Sequence, residues 1–200
     1  MARILLLRHG QIRANRQGRW HGSTDSPLTW RGRRQAKRTA RHLLQQAAPL
    51  GAIYSSPLQR CRHTAQTVAD RLQLPVVVEP DLREYAIGEW EDMPFRVLAE
   101  QHRFIEMATS DHDFAPPGGE SLREVAQRMV PAVRAIAERH DDEETVLLVS
   151  HGAAMAVALG AILDGNPATW TNYHFANCSL TELVLSPAPY VNFFNSVQHL

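Results

Sequence analysis

ILLLRHGQIRAN, residues 4–15, runs four apolar residues straight into Arg8-His9-Gly10. So short a run of Ile and Leu, ended by glycine, reads as a buried strand closed by a turn. In the plainer reading Gly10 makes the turn and the two polar side chains meet solvent. In the sharper one the strand end delivers a guanidinium and an imidazole to a single anionic ligand. The choice depends on the residues at the ends of the other strands.

Comparable runs stand at 52–54, 76–78 and 145–149, and further strands are expected at 178–185 and 190–196. Helical patterns separate the first four. Ala36, Ala40, Leu43, Leu44 and Ala47 share one helical face, and Leu58, Cys61, Ala65, Val68, Ala69 and Leu72 share another. Ser56 is expected as the N-cap of the second, with Pro57 in its first helical position. Ser121 and Glu124 have capping-box spacing before Val125, Met129, Val133 and Ile136, and Pro131 is expected to kink or split that helix. Residues 94–109 read as one further, largely polar helix. Short buried strands alternating with helices predict an α/β fold, a three-layer α/β/α sandwich around a mostly parallel sheet. Without repeats or long linkers, residues 1–200 read as a single domain.

Composition narrows the function. Of the 200 residues 44% are hydrophobic, as in an ordinary globular chain. No apolar run approaches the roughly 18 residues of a membrane span, and ILLL is shorter than the roughly 7–15 residues of a signal-peptide core. Cys61 and Cys178 are too few to staple a secreted fold and suggest no metal site, so a cytoplasmic protein without a metal or membrane partner is expected. Zero net charge conceals an asymmetry. Residues 1–42 hold eleven Lys and Arg against Asp25 alone, whereas residues 79–120 hold eleven acids against Arg83, Arg96 and Arg103. The basic segment lacks the interleaved aromatics of a single-strand groove, offering only Trp20 and Trp30. A solvated helix face accounts for Arg33, Arg34, Lys37, Arg38 and Arg41, and no nucleic-acid partner is expected.

Ligands of parallel sheets bind at the carboxyl ends of the strands. Arg8-His9-Gly10 follows the first predicted strand, and SSPLQR, with Arg60 in the first turn of its helix, follows the second. EPDLRE, ending at Glu84, follows the third, and Ser150-His151-Gly152 the fourth. Each residue alone has a bland explanation as a turn, cap or surface charge. An arginine at the positive end of a helix is electrostatically disfavoured, which makes sense if an anion sits between them. Two histidines, two arginines and a carboxylate after four successive strands favour the functional explanation.

These groups suit phosphoryl transfer. A neutral imidazole can attack phosphorus and divide one hard displacement into two easier ones. Guanidinium groups bind phosphate oxygens through paired, charge-assisted hydrogen bonds and stabilise charge during transfer. A carboxylic acid can protonate the leaving alkoxide and then deprotonate water. Neither an aspartate run for magnesium nor a Gly-rich phosphate loop with lysine occurs, so no cofactor or metal is expected.

The ordered motifs RHG at 8–10, Asn15, HGSTDSPLTWRGRRQA at 21–36, SSPLQRCRHTA at 55–65, LREYAIGEWE at 82–91, PGGES at 117–121 and SHG at 150–152 resemble the histidine phosphatase superfamily, also called phosphoglycerate mutase-like. The resemblance implies His9 as nucleophile and Glu84 as proton donor and acceptor. It implies that Arg8, Arg60 and His151 hold the phosphoryl group, and that Asn15, His21, Gly22 and Gly152 lie on the substrate side. A cap-like insertion is expected at about 85–119. Gln11-Ile12 departs from the Glu-Thr of many members, and Asp92 stands where a glycine often follows Trp-Glu.

Similar mutases shield the phosphohistidine from water and carry a longer, basic insertion for a second acidic group. Here the segment from Tyr85 to Gly119 is acidic, a poor cover for a bisphosphate, and PGGES resembles the phosphatase branch. The expectation is a histidine acid-type phosphatase, a metal-independent hydrolase of small-molecule phosphomonoesters. A phosphoglycerate mutase-type phosphotransferase is the alternative. A non-catalytic phosphate-binding module is disfavoured, because binding alone needs neither His9 nor Glu84. Trp20, Tyr85 and Trp90 are read equally as stacking surfaces for an organic group or as packing residues. The oligomeric state and the substrate, among sugar phosphates, phospho-acids, α-ribazole phosphate and phosphoproteins, stay open.

Overall fold

The computed structural model describes residues 1–46 and 50–200. Six strands, β1 (Arg3–Arg8), β2 (Leu50–Ser55), β3 (Val76–Val78), β4 (Thr145–Ser150), β5 (Leu180–Val184) and β6 (Tyr190–Ser196), form one sheet in the order β3-β2-β4-β1-β5-β6. The first four strands are mutually parallel, while β5 and β6 run antiparallel at one edge. All six residues of β4 are buried, as befits a central strand covered on both faces.

Alternation along the central strands builds two cores. Ile4 and Leu6 of β1, with Val146 and Leu148 of β4, face α6 (Leu122–Glu138) and α7 (Gly152–Leu163). Leu5, Leu7, Leu147 and Val149 face α2 (Trp30–Leu44) and α3 (Gln59–Leu72). The result is the expected three-layer sandwich. A short helix, α1 (Arg13–Arg16), follows the first turn. Ala47, expected on the α2 face, lies outside the described residues.

Three local expectations need correction. α3 begins at Gln59 with Leu58 in the cap position, so Ser56 and Pro57 precede it. Its Gln59 amide instead donates to the Asp25 carboxylate at 2.9 and 3.1 Å, which caps the helix from a distant loop. Residues 94–109 form two helices, α4 (Phe95–Glu100) and α5 (Phe104–Ser110), broken at Arg103 in the left-handed region. Leu98 and Phe104 are both buried yet six residues apart, on different faces of any continuous helix, so the chain must turn between them. α6 starts with the expected capping box, Ser121 Oγ accepting from Glu124 N at 3.2 Å and Glu124 Oε2 from Ser121 N at 2.7 Å. It then runs through Pro131 without splitting. Burial of Met129, Val133 and Ile136 around that proline opposes the cost of the lost backbone hydrogen bond.

Candidate active site

β1 and β4 are neighbours with Arg8 opposite Ser150, so the chain leaves both strands at the same level. His9 and His151 therefore meet edge to face, ring centroids 5.3 Å apart. α3 brings Arg60 from the β2 side, and the 3₁₀ turn Pro80–Leu82 after β3 leads to Glu84. Arg8, His9, Arg60 and Glu84 line one cavity of about 1270 Å³, together with Asn15, His21, Gly22 and Gly152. His151, fully buried, lies behind its wall.

His9 Nδ1 lies 2.8 Å from its neighbour Gly10 O, a pure acceptor, so Nδ1 carries the proton and Nε2 keeps its lone pair. His151 is fixed in the opposite tautomer. Arg60 Nε donates to its Nδ1 at 3.2 Å, leaving Nε2–H to donate to Ser56 Oγ at 2.7 Å. Ser56, expected as a helix cap, is thus a site residue.

Burial, followed by the nearby Arg60 charge, holds both imidazoles well below the ordinary 6.5. Nitrogen chemical shifts should therefore find both rings neutral in the free protein at pH 6.5; a half-protonated ring at either position would contradict this. The unfolded chain takes up protons on these histidines below about 6.5 while the fold does not. Their contribution to stability is thus full above that pH and declines on acidification toward the folded values.

The arginines are only partly satisfied by protein. Arg60 gives Nη1 to Thr24 O at 2.7 Å and Nη2 to Gly22 O at 2.6 Å, leaving further N–H groups for a ligand. Arg8 donates Nη1 to Phe175 O, while its buried Nε has no partner among the described residues. A Cβ on Gly152 would stand 3.2 Å from that Nε and crowd the guanidinium. Glu84 sits on the N-terminus of α7, its Oε1 accepting from Ala154 N at 2.8 Å and Tyr85 N at 2.9 Å.

Arg128, which the sequence did not single out, holds the chain that carries Glu84. Its guanidinium donates to Asp81 O, Arg83 O and Glu84 O at 2.8, 2.8 and 3.0 Å. The same group grips both oxygens of Glu120 at 2.7 and 2.9 Å. Asn177 was also missed. Its Nδ2 donates to His9 O at 3.1 Å and to Asn15 Oδ1 at 3.0 Å. Because β5 is antiparallel, the start of that strand lies at the site edge, and inspection of strand ends passes it by.

Asp92 adopts φ 61°, the left-handed conformation that favours glycine. Its carboxylate contacts His21 Nδ1, which leaves His21 Nε2 buried without a partner among the described residues. Glu91 secures the same loop, accepting from Ser23 N at 2.9 Å and Thr24 N at 3.0 Å. Tyr85 is buried, and Trp90 packs on His102, Phe104 and Phe114, so both are packing residues. Trp20 packs on Tyr85 and Trp170 and also lines the cavity.

One neutral imidazole at the cavity with a second behind its wall, two guanidinium groups and a carboxylate suit chemistry on a phosphoryl group. The family model of the histidine phosphatase superfamily (branch 1) matches residues 4–191, and the chain belongs to that superfamily. "Acid-type" is the label of a different subfamily. The chain spans about half the length of the mycobacterial curated relatives it matches, being 34% identical over 201 residues that make up 55% of theirs. It is 33% identical to the Yersinia enterocolitica protein named "Probable phosphoglycerate mutase GpmB", over 96% of this chain and 88% of that one. Among solved structures it resembles mycobacterial glucosyl-3-phosphoglycerate phosphatase, with 31% identity, TM-score 0.85, and 98% and 100% of the two chains covered. It also resembles phosphoserine phosphatase from Entamoeba histolytica, with 27% identity, TM-score 0.88 and both chains fully covered. No helix among the described residues is long and apolar enough to cross a membrane.

Proposed function

We propose that this protein is a cytoplasmic, metal-independent phosphomonoesterase that hydrolyses a small-molecule phosphate through a phosphohistidine on His9. The observation that carries the proposal is the free lone pair of His9 Nε2 in a cavity it shares with Arg8, Arg60 and Glu84. His9 attacks phosphorus as the ester bond breaks, Arg8 and Arg60 hold the equatorial oxygens, and Glu84 gives a proton to the departing alkoxide. Glu84 then takes a proton from water, which attacks the phosphohistidine, releases phosphate and regenerates the imidazole. His151 acts through Arg60, whose Nε it receives. Residues 1–200 form one catalytic domain, with the segment at about 85–119 capping the cavity.

Hydrolysis is preferred to mutase chemistry because the cavity is large and reaches an exposed rim at Trp30, so water has access to the intermediate. The phosphatases among the similar structures favour the same choice. The acidity of residues 85–119 does not bear on the choice, since only Phe95 and Ile105 of that segment line the cavity. Nitrophenyl phosphate should be turned over in the presence of a chelator, and 3-phosphoglycerate should give inorganic phosphate or nothing. Rapid conversion of 3-phosphoglycerate to its 2-isomer, primed by a bisphosphate, would instead establish a mutase.

A further inference from the structure

α2 is fastened directly to the residues just after His9. A Cβ on Gly32 would come within 2.2 Å of Gln11 O, and one on Gly10 within 2.6 Å of Gly32 O, so backbone lies on backbone here. Gln11 N donates to Gln35 Oε1 at 3.0 Å, and Thr29 gives its amide and hydroxyl to Gln11 O at 2.9 and 3.1 Å. The first turns of α2 are thereby held as a wall of the catalytic cavity.

Arg31, Arg34, Gln35 and Arg38 line that wall, at spacings that place them on one helical face. From Arg31 to Arg38 the helix rises about 10 Å. None of the three guanidinium groups forms an ion pair or hydrogen bond among the described residues, whereas all three arginines of the acidic segment are paired: Arg83 with Asp81 and Glu120, Arg96 with Glu100 and Arg103 with Glu106. The Arg34 guanidinium lies 4.6 Å over the ring of Trp30, which is 71% exposed at the rim, and this restrains it without neutralising it.

The arrangement is unfavourable for the helix by itself. Like charges at these spacings repel, and cations in the first turns oppose the helix dipole. Gln11 supplies no compensating charge, and its Oε1 lies 3.1 Å from the Thr29 hydroxyl oxygen. Glu84 is the sole carboxylate among the described residues lining the cavity. A row of unpaired guanidinium groups leading away from the phosphoryl pocket is accounted for if the substrate brings anionic charge to it.

We infer that the Arg31–Arg34–Arg38 face of α2 is a second anion subsite, and that the substrate is a phosphomonoester carrying a further phosphoryl group several bonds from the scissile one. This deepens the phosphatase reading and rests on it. A guanidinium face suits phosphate oxygens through paired charge-assisted hydrogen bonds.

The test compares 1,6-hexanediol bisphosphate with hexyl phosphate as substrates. The bisphosphate should have the higher kcat/KM by roughly 10–100-fold at low salt, the range expected for one or two charge-assisted contacts, and the gap should narrow as salt is raised. In an Arg34→Gln/Arg38→Gln variant the ratio of the two constants should collapse toward parity. Equal constants in the wild-type protein, or a ratio unchanged in the variant, would overturn the subsite. Nitrophenyl phosphate separates this from the underlying reading: no turnover of it by the wild-type protein means that the hydrolase assignment has failed. In that event equilibrium binding of the bisphosphate, weakened or not by the double substitution, still decides the subsite.

Discussion

His9→Ala is expected to lower kcat by roughly 10⁴–10⁶-fold on every phosphomonoester, the scale of losing a covalent nucleophile. Neither His151 nor Cys61 is poised to replace it. Both nitrogens of His151 are engaged, by Arg60 and Ser56, and the ring lies behind the cavity wall. Burial raises the pKa of the Cys61 thiol far above its ordinary value, so it supplies no thiolate. His9 is held by its contact with Gly10 O and packs beside the cavity, where water can fill the space left by its ring. Circular dichroism of the variant should therefore match the wild-type protein. A residual rate within tenfold of wild type in a properly folded variant would remove His9 from the nucleophile's place.

Glu84→Gln is expected to divide substrates by their leaving group. A simple alkoxide departs badly without a proton, whereas a nitrophenolate departs unaided. Phosphorylation of His9 by alkyl phosphates should slow by about 10²–10⁴-fold, the usual worth of general acid catalysis, with a much smaller effect for nitrophenyl phosphate. The amide can still accept from Ala154 N and Tyr85 N through its carbonyl oxygen, so the α7 contact survives the change. Burst kinetics are needed, because dephosphorylation also calls on Glu84 to activate water. Equal losses in the burst rate for both classes would reduce Glu84 to a positioning residue.

The strands, and the convergence of the candidate site residues at their ends, were legible because both depend on short-range pattern. Apolar runs ending in Arg-His-Gly, Ser-Ser-Pro and Ser-His-Gly marked the β1, β2 and β4 ends, and parallel pairing did the rest. α7 was not legible: Ala154 through Gly160 are all buried, so no polar face exists to produce a period. The break between α4 and α5 was hidden for the converse reason, since a polar, exposed pattern gives no sign of which residues must turn inward.

Partners distant in sequence were beyond reach. Nothing near Ser56 indicates that its hydroxyl belongs to His151, 95 residues away. Likewise nothing near Asp25 indicates that it caps α3, or near Arg128 that it holds the backbone of Glu84. Charge was legible as a total and misleading as a location. Residues 79–120 are acidic, yet residues 85–119 show the cavity two apolar side chains, while several cations of the basic segment line it.

The central claim is covalent, and one measurement addresses it directly. Wild-type protein mixed with ³²P-labelled alkyl phosphate and quenched within milliseconds in alkali should retain label as an alkali-stable phosphoramidate. That label should be released by mild acid and should map to the peptide containing His9. Turnover that proceeds with no labelled protein at any time, or label that maps to a peptide without His9, would contradict the account.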